Sequence, residues 1–128
     1  MYSSGNTFNI LSTDPIFSPL KQFIENFVRE NTIIKTAFMH KSWVNFGYPL
    51  NSQPIHTHPG WPLTGVFYIS TPPKCGNLVI HDKTNINSKK IIPIQEGLLV
   101  IFDATQPHSV EKNLSGKERI AIPMNFGH

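Results

Sequence analysis

Three histidines in this sequence have the spacing that a metal site on a β-sheet requires. His56 and His58 are separated only by Thr57, and residues i and i+2 of a strand point to the same face of a sheet. His108 begins a later predicted strand, which a small barrel can bring beside the first pair. Three imidazoles would leave coordination positions open, as a catalytic metal requires. The alternative is that the spacing of His56 and His58 arises by chance. We interpret a further histidine, His81, as an ordinary surface or core residue at a strand end.

Arg119 is the second candidate for chemistry, because it opens the apolar run of the last predicted strand, where Ile120 and Ile122 alternate with it. It should share a face of that strand with Ala121, and that face could line the interior. A buried guanidinium needs an anionic partner, since leaving it unpaired is costly, and its planar fork of donors fits a carboxylate. The spacing is compatible with a ligand carboxylate and equally with a surface ion pair to Glu111 or Glu118.

One amphipathic helix is predicted near the N-terminus, over residues 18–31. Ser18 is a suitable N-cap, and Pro19 suits the first helical position. The apolar side chains that form one stripe along this helix are Leu20, Phe23, Ile24, Phe27 and Val28. Residues 1–17 are polar and rich in turn-forming residues, so we expect them to be loosely ordered or to lend one edge strand around Phe8–Leu11.

Short strands separated by turns are predicted from Trp43 onward. The predicted strands are Gln53–His58, Gly65–Ser70, Asn77–His81, Lys90–Ile94, Leu98–Phe102, His108–Lys112 and Glu118–Asn125. Pairs such as Pro59-Gly60 interrupt them with residues that favour turns. Short strands with no helix between them indicate an antiparallel sandwich or barrel. The segment Ile33–Phe38 fits either a short helix or a strand.

The composition excludes several classes of protein. The chain has 128 residues, which suits a single domain over 1–128. It has 11 Lys and Arg against 8 Asp and Glu, and its lysines are scattered along the sequence. A nucleic-acid-binding protein would cluster its positive charge, so we expect no nucleic acid partner. Cys75 is the only cysteine, which excludes a disulfide framework and a cysteine-based zinc finger. No apolar run suits a membrane span and no signal peptide is evident, so we expect a cytoplasmic protein.

Several short motifs from Trp43 onward occur in an order and spacing that resemble a known family. The matching segments are Trp43-Val44-Asn45, His56-Thr57-His58-Pro59-Gly60-Trp61, Leu63–Tyr68, Gly97–Phe102, Pro107-His108, Asn113, Ser115-Gly116 and Arg119–Ile122. Together they extend over about two thirds of the chain and resemble the iron(II)- and 2-oxoglutarate-dependent oxygenases. The resemblance is to a small bacterial and phage branch whose members carry a His-x-His-Pro stretch.

The resemblance implies a mainly β fold, a double-stranded β-helix (jelly roll) over residues 43–126, with one N-terminal α-helix packed on a sheet. It implies that O₂ oxidises an unknown small-molecule or peptide substrate, usually by hydroxylation, with release of succinate and CO₂. Exposed edge strands often pair in small jelly rolls, so a homodimer is a reasonable expectation.

The same resemblance implies roles for particular residues. Iron(II) would be bound by His56, His58 and His108. Arg119 would pair with the far carboxylate of the co-substrate 2-oxoglutarate, and the Tyr68 hydroxyl would donate to the same carboxylate. The wider superfamily uses two histidines and one carboxylate, and His58 stands here where that carboxylate would be.

Two other functions stay open from the sequence. A three-histidine cupin-type metal dioxygenase or binding protein would have the same jelly roll. A typical cupin adds a glutamate four or five residues after the second histidine, where this chain has Pro62 and Leu63. Arg119 favours the oxygenase over the cupin. A non-catalytic jelly-roll structural module would carry the same histidines incidentally.

Overall fold

The computed structural model describes Tyr2–Ser3 and residues 9–128. Its helices are α1 (Ile10–Thr13), a 3₁₀ helix (Pro15–Phe17) and α2 (Ser18–Asn31). Its strands are β1 (Tyr2–Ser3), β2 (Phe38–Ser42), β3 (Asn45–Gly47), β4 (Gln53–His56), β5 (Leu63–Ser70), β6 (Leu78–His81), β7 (Lys89–Ile92), β8 (Leu99–Asp103), β9 (His108–Val110) and β10 (Arg119–Gly127). None of the helices in the described ranges is long and apolar enough to cross a membrane.

Two antiparallel sheets form the jelly roll. One sheet has the strand order β1-β3-β10-β5-β8, with β2 also paired to β10, and the other has the order β4-β9-β6-β7. Residues of both sheets line a common cavity, which therefore lies between them. The predicted mainly β fold, a double-stranded β-helix with one helix near the N-terminus, is confirmed.

β10 supplies residues to two different parts of the molecule because its side chains alternate between two faces. Arg119, Ala121 and Pro123 line the cavity between the sheets. Ile122 and Met124 belong to the hydrophobic core that packs against the N-terminal helices. The strand therefore presents Arg119 to the cavity while its other face holds α2 in place.

α2 covers the residues that the apolar pattern predicts as helix, 18–31, but it buries only one side of the predicted stripe. Ile24 and Val28 are fully buried in the core. Phe23 and Phe27 are 64% and 39% exposed, so the prediction that both belong to the buried face is wrong. Ile24 and Val28 share this core with Leu11 of α1 and with Ile122, Met124 and Phe126 of β10.

The prediction that Ser18 is the helix N-cap is also wrong. Ser18 has helical dihedral angles, φ −55° and ψ −43°, because the 3₁₀ helix Pro15–Phe17 runs directly into α2. The capping is done one element earlier, where the Asp14 carboxylate accepts a hydrogen bond from the Ile16 backbone N–H at 3.0 Å. α2 thus starts without a side-chain cap of its own.

The edge strand predicted around Phe8–Leu11 is not found over its described residues. Phe8 lies outside the described residues, and Asn9 makes one isolated β-bridge with Ser42. Leu11 lies in α1, buried in the hydrophobic core, and donates its N–H to the Ser42 hydroxyl at 3.0 Å. Burial of this leucine against the neighbouring helix favours a helical turn over an extended edge.

Candidate metal centre

The rings of His56, His58 and His108 converge in the wall of the cavity. One ligand nitrogen from each lies within 4.8 Å of the other two. The ring centroids of His56 and His108 are 4.1 Å apart, and that of His58 is 5.1 Å from each of them. Within the described part of the chain this is the only group of three or more histidine, cysteine or acidic side chains close enough to share a metal ion.

Strand pairing brings two of the histidines together, and a turn brings the third. His56 ends β4 and His108 begins β9, and the two are Cα partners in the antiparallel ladder. β4 ends at His56, two residues before the end of the predicted strand Gln53–His58. The prediction that His58 shares a strand face with His56 is therefore wrong. His58 reaches the cluster from the following loop, where its N–H donates to the Ala104 carbonyl at 2.8 Å.

Backbone carbonyls determine which ring nitrogen two of these histidines present to the cluster. Nδ1 of His56 lies 2.9 Å from the Pro54 carbonyl oxygen, and Nδ1 of His108 lies 2.8 Å from the Gln106 carbonyl oxygen. A carbonyl oxygen only accepts, so Nδ1 must carry the proton in each ring. The Nε2 lone pair of each ring is therefore available to a metal ion, the usual arrangement behind a metal-binding histidine.

The surroundings of the cluster keep at least two of its rings neutral. Burial, with a smaller contribution from the nearby His56, lowers the pKa of His58 to about 4. Burial also lowers the pKa of His108 to about 4, against an opposing hydrogen bond to the Gln106 carbonyl. Neutral imidazole is the form that binds metal, so both rings are ready to act as ligands at neutral pH.

The cavity beside the histidines has a volume of about 310 Å³. The residues that line it are Trp43, Asn45, Gly47, Gln53, His56, His58, Thr64, Gly65, Val66, Tyr68, Leu78, Ile94, Phe102, His108, Val110, Arg119, Ala121 and Pro123. Among these described residues there is no carboxylate, and the guanidinium of Arg119 is the one permanent charge. The cavity is therefore electropositive and suits an anionic ligand.

The register of β3 with β10 shows where Arg119 lies in the cavity relative to the histidines. Gly47 lies opposite Arg119, and Asn45 lies two residues along the same strand. The ring of Trp43, which precedes β3, is 6.4 Å from the ring of His58. Residues i and i+2 of a strand are about 6–7 Å apart on the same face. Gly47, Asn45 and Trp43 therefore mark increasing distance from Arg119, and the guanidinium and the histidines lie at opposite ends of the cavity.

Arg119 is buried, with 4% of its surface exposed. Its Nη1 donates to the Cys75 carbonyl, and burial lowers the guanidinium pKa from its ordinary value. The alternative of a surface ion pair with Glu111 or Glu118 is not found. Glu111 instead accepts a hydrogen bond from the Asn77 N–H at 3.0 Å, and no carboxylate of the described residues lies within ion-pair distance of Arg119.

Tyr68 lies beside Arg119 in the cavity wall. It is the Cα partner of Ala121 in the ladder between β5 and β10, and it is buried. Burial raises the pKa of the Tyr68 phenol well above its ordinary value, and the positive charge of Arg119 opposes this shift only in part. The phenol therefore keeps its proton and can donate a hydrogen bond into the cavity.

His81 is separate from the cluster, in agreement with its interpretation as an ordinary strand-end residue. It is buried, with Nδ1 2.9 Å from the Ile86 carbonyl oxygen and Nε2 2.8 Å from the Ser109 hydroxyl. Both ring nitrogens are thus occupied by hydrogen bonds within the protein.

Three polar or small residues of the cavity wall have no role that the sequence predicts. Asn45 and Gln53 bring side-chain amides to the cavity from opposite sheets, and Gly47 brings bare backbone to the guanidinium end. Asn45 appears in the Trp-x-Asn motif of the resemblance, which was its only signal. Nothing in the local pattern marks Gln53 or Gly47, since their positions depend on pairing between distant strands.

Comparison of the sequence with models of known protein families identifies one matching family. A family model described as "Putative 2OG-Fe(II) oxygenase" matches residues 41–125, which is about two thirds of the chain. The matched range contains the three clustered histidines, Tyr68 and Arg119. No curated protein sequence matches this chain.

Solved structures share the fold at low sequence identity. An oxidoreductase of the 2OG-Fe(II) oxygenase family from Burkholderia pseudomallei has a TM-score of 0.68 at 15% identity, over 93% of this chain and 55% of that protein. A prolyl-4-hydroxylase from Pseudomonas putida has a TM-score of 0.67 at 15% identity, over 91% of this chain and 68% of that one. HygX from Streptomyces hygroscopicus, solved with iron bound, has a TM-score of 0.72 at 9% identity, over 91% and 68%. The chain thus spans about half the length of the Burkholderia protein.

Proposed function

Because the chain belongs to the 2OG-Fe(II) oxygenase family, we propose that it is an iron(II)- and 2-oxoglutarate-dependent dioxygenase. It would oxidise a substrate with O₂, usually by hydroxylation, and convert 2-oxoglutarate into succinate and CO₂. The observation that carries this proposal is a cavity with three converging imidazoles at one end and the buried Arg119 at the other; the described residues place no carboxylate in its lining and none in an ion pair with Arg119.

The donor set of the cavity fits iron(II). His56, His58 and His108 would hold the metal through ring nitrogens that lie within 4.8 Å of one another, and imidazole is a ligand that suits iron. When bound, the iron supplies the redox chemistry that activates O₂. The three residues add no negative charge, so the centre is one charge more positive than one built with a carboxylate. This favours the binding of an anionic co-substrate.

The guanidinium end of the cavity fits the distal carboxylate of 2-oxoglutarate. Arg119 uses one N–H on the Cys75 carbonyl, and a guanidinium has five N–H donors, so others are available for two parallel hydrogen bonds. The protonated phenol of Tyr68 can donate to the same carboxylate. Together they would orient the 2-oxo acid group of the co-substrate towards the histidines.

Aromatic side chains shield the histidine end from water. The ring of Phe102 is 4.8 Å from that of His108, and the buried Trp43 lies 6.4 Å from His58. A site with little water strengthens the electrostatic contacts within it and protects the reaction from side products.

The substrate we propose is a small molecule or a small group of a peptide. A volume of about 310 Å³ must also hold the metal and 2-oxoglutarate, which leaves room for only part of a larger substrate. The amides of Asn45 and Gln53 are the polar groups available to orient it. The lining carries no carboxylate among the described residues, so it does not favour a cationic group at this position.

The test is iron-dependent turnover of the co-substrate. Purified protein would be loaded anaerobically with iron(II), mixed with 2-oxoglutarate and O₂, and assayed for succinate. We expect succinate to form with iron and to be absent when His108→Ala replaces the wild type. Succinate formation that is equal in the two proteins would contradict the proposal, because the reaction would not depend on this centre.

A further inference from the structure

The guanidinium of Arg119 rests against Gly47 so closely that no side chain would fit between them. A Cβ atom at Gly47 would lie 2.5 Å from Nη2 of Arg119, 3.0 Å from Cζ and 3.2 Å from Nε. Real Cβ atoms are essentially never found closer than 3.0 Å to another heavy atom. All three contacts are to one side chain, so the Cα of Gly47 forms the surface on which the guanidinium lies.

This glycine is required by the close approach and not by its backbone conformation. The glycines with positive φ are Gly60, Gly76 and Gly97, and Gly47 is not one of them. An alanine at position 47 could therefore adopt the same backbone angles. Its methyl group would meet the guanidinium, and either that group or the strand would have to move.

The backbone of Gly47 is held on two sides, so the strand is the part less able to move. Gly47 is the Cα partner of Arg119 in the ladder between β3 and β10. The fully buried Asn113 donates Nδ2–H to the Gly47 carbonyl and to the Lys117 carbonyl, each at 2.8 Å. Asn113 Oδ1 in turn accepts from the Ser115 N–H at 2.9 Å, which closes the turn that braces the end of β3.

We propose that Gly47, braced by Asn113, is a positioning residue that places the Arg119 guanidinium for the distal carboxylate of 2-oxoglutarate. The contact with Gly47 and the hydrogen bond to the Cys75 carbonyl fix the plane of the guanidinium from two directions. Two parallel hydrogen bonds to a carboxylate depend on that plane, and displacements of a few tenths of an ångström weaken them. Gly47 thereby sets the selectivity for a 2-oxo dicarboxylate over a 2-oxo acid without the second carboxylate. This inference rests on the proposed function.

The test compares two co-substrates in the Gly47→Ala variant. Iron(II)-loaded protein would be titrated anaerobically with 2-oxoglutarate and with 2-oxopentanoate, which has the same 2-oxo acid group but a methyl group at its far end. We expect Gly47→Ala to raise the Kd for 2-oxoglutarate about tenfold or more, as for loss of a charge-assisted hydrogen bond, and to leave the Kd for 2-oxopentanoate within about twofold. The iron(II) affinity should not change, because the histidines lie at the other end of the cavity.

Two other glycines give matched controls. A Cβ at Gly116 would meet nothing within 4 Å, so Gly116→Ala tests the substitution without crowding. A Cβ at Gly127 would lie 2.8 Å from the ring of Phe38, so Gly127→Ala tests crowding away from the cavity. Both should keep the selectivity of the wild type, even if Gly127→Ala lowers the melting temperature.

A double variant shows whether the effect passes through the guanidinium. In an Arg119→Met background, Gly47→Ala should cause no further loss of 2-oxoglutarate affinity, since the two changes act on one contact. If Gly47→Ala alone does not fold, the double variant should recover folding, because removal of the guanidinium makes room for the methyl group. A double variant that also fails to fold would overturn the proposal, since the strand itself would then require glycine.

The outcomes separate this inference from the function on which it rests. Wild-type protein that does not discriminate between the two co-substrates would contradict the role of Arg119 in the proposed function. Wild-type protein that does discriminate, together with a Gly47→Ala variant that discriminates equally well, would leave the function intact and overturn the positioning role.

Discussion

Replacement of Arg119 by methionine tests the guanidinium end of the cavity and has two measurable consequences. The affinity for 2-oxoglutarate should fall, because the distal carboxylate loses its cationic partner. The stability of the ligand-free protein should fall little or rise, because Arg119 is 4% exposed and the Cys75 carbonyl is the one acceptor that its side chain has within the described part of the chain. Replacement of a buried, poorly paired ion by an apolar side chain of similar length is often neutral or stabilising.

The magnitude follows from the hydrogen bonds that the guanidinium can offer. A hydrogen bond to a charged group contributes about 1.5–3 kcal/mol, and a bidentate pair provides two of them. The guanidinium is already desolvated by burial, so the main opposing cost is removal of water from the carboxylate of the ligand. We take a net loss of about 2–4 kcal/mol, which corresponds to a Kd about 30- to 700-fold higher.

The assay is calorimetric titration of the iron(II)-loaded protein with 2-oxoglutarate under anaerobic conditions, paired with urea unfolding of the metal-free protein. Lys90→Met is the control for loss of one positive charge, because Lys90 is exposed on β7, outside the cavity lining. Arg119→Met protein that binds 2-oxoglutarate as tightly as the wild type would refute the assigned role. Unfolding at a much lower urea concentration would show instead that Arg119 has a structural partner.

Three further predictions concern the histidines and the helix start. His108→Ala should abolish binding of one iron(II) equivalent, whereas His81→Ala should keep it, as measured by equilibrium dialysis; loss in both variants would point to unfolding and not to ligation. The metal-free protein should lose free energy of unfolding as the pH falls from about 6.5 to about 4, because the folded state holds His58 and His108 at pKa values of about 4 and the unfolded state binds protons first. Urea unfolding at pH 7 and pH 5 measures this, and equal stabilities would contradict it. Asp14→Ala should cost about 1 kcal/mol of stability, as loss of a helix cap does, and Ser18→Ala should cost almost nothing; the reverse order in thermal unfolding would restore Ser18 as the cap.

Much of the sheet was predictable because its strands carry alternating side chains between strong turn residues. All seven predicted strands have a counterpart, with ends that differ by a few residues. The alternation around Arg119 also predicted that it shares a face with Ala121, and both line the cavity. These features depend on local period and turn chemistry, which a single sequence contains.

What could not be predicted depends on contacts between distant residues. β3 has only three residues and ends in Gly47, so its pairing with β10 has no local signal. The ambiguous segment Ile33–Phe38 becomes a strand only at Phe38, where β2 meets the end of β10. His58 lies beside His56 and His108 for a reason that the sequence does not predict, because the segment after β4 and not a shared strand face brings it there.

The most direct test of the central claim is a spectroscopic titration of the metal-free protein under anaerobic conditions. Iron(II) would be added to one equivalent, followed by 2-oxoglutarate, while the visible metal-to-ligand charge-transfer absorption is recorded. We expect a band that saturates at one equivalent of each and is absent from His108→Ala. Iron binding without a band would contradict it and favour a three-histidine, cupin-type metal protein. Failure to bind iron at all would leave a jelly roll whose histidines serve another purpose.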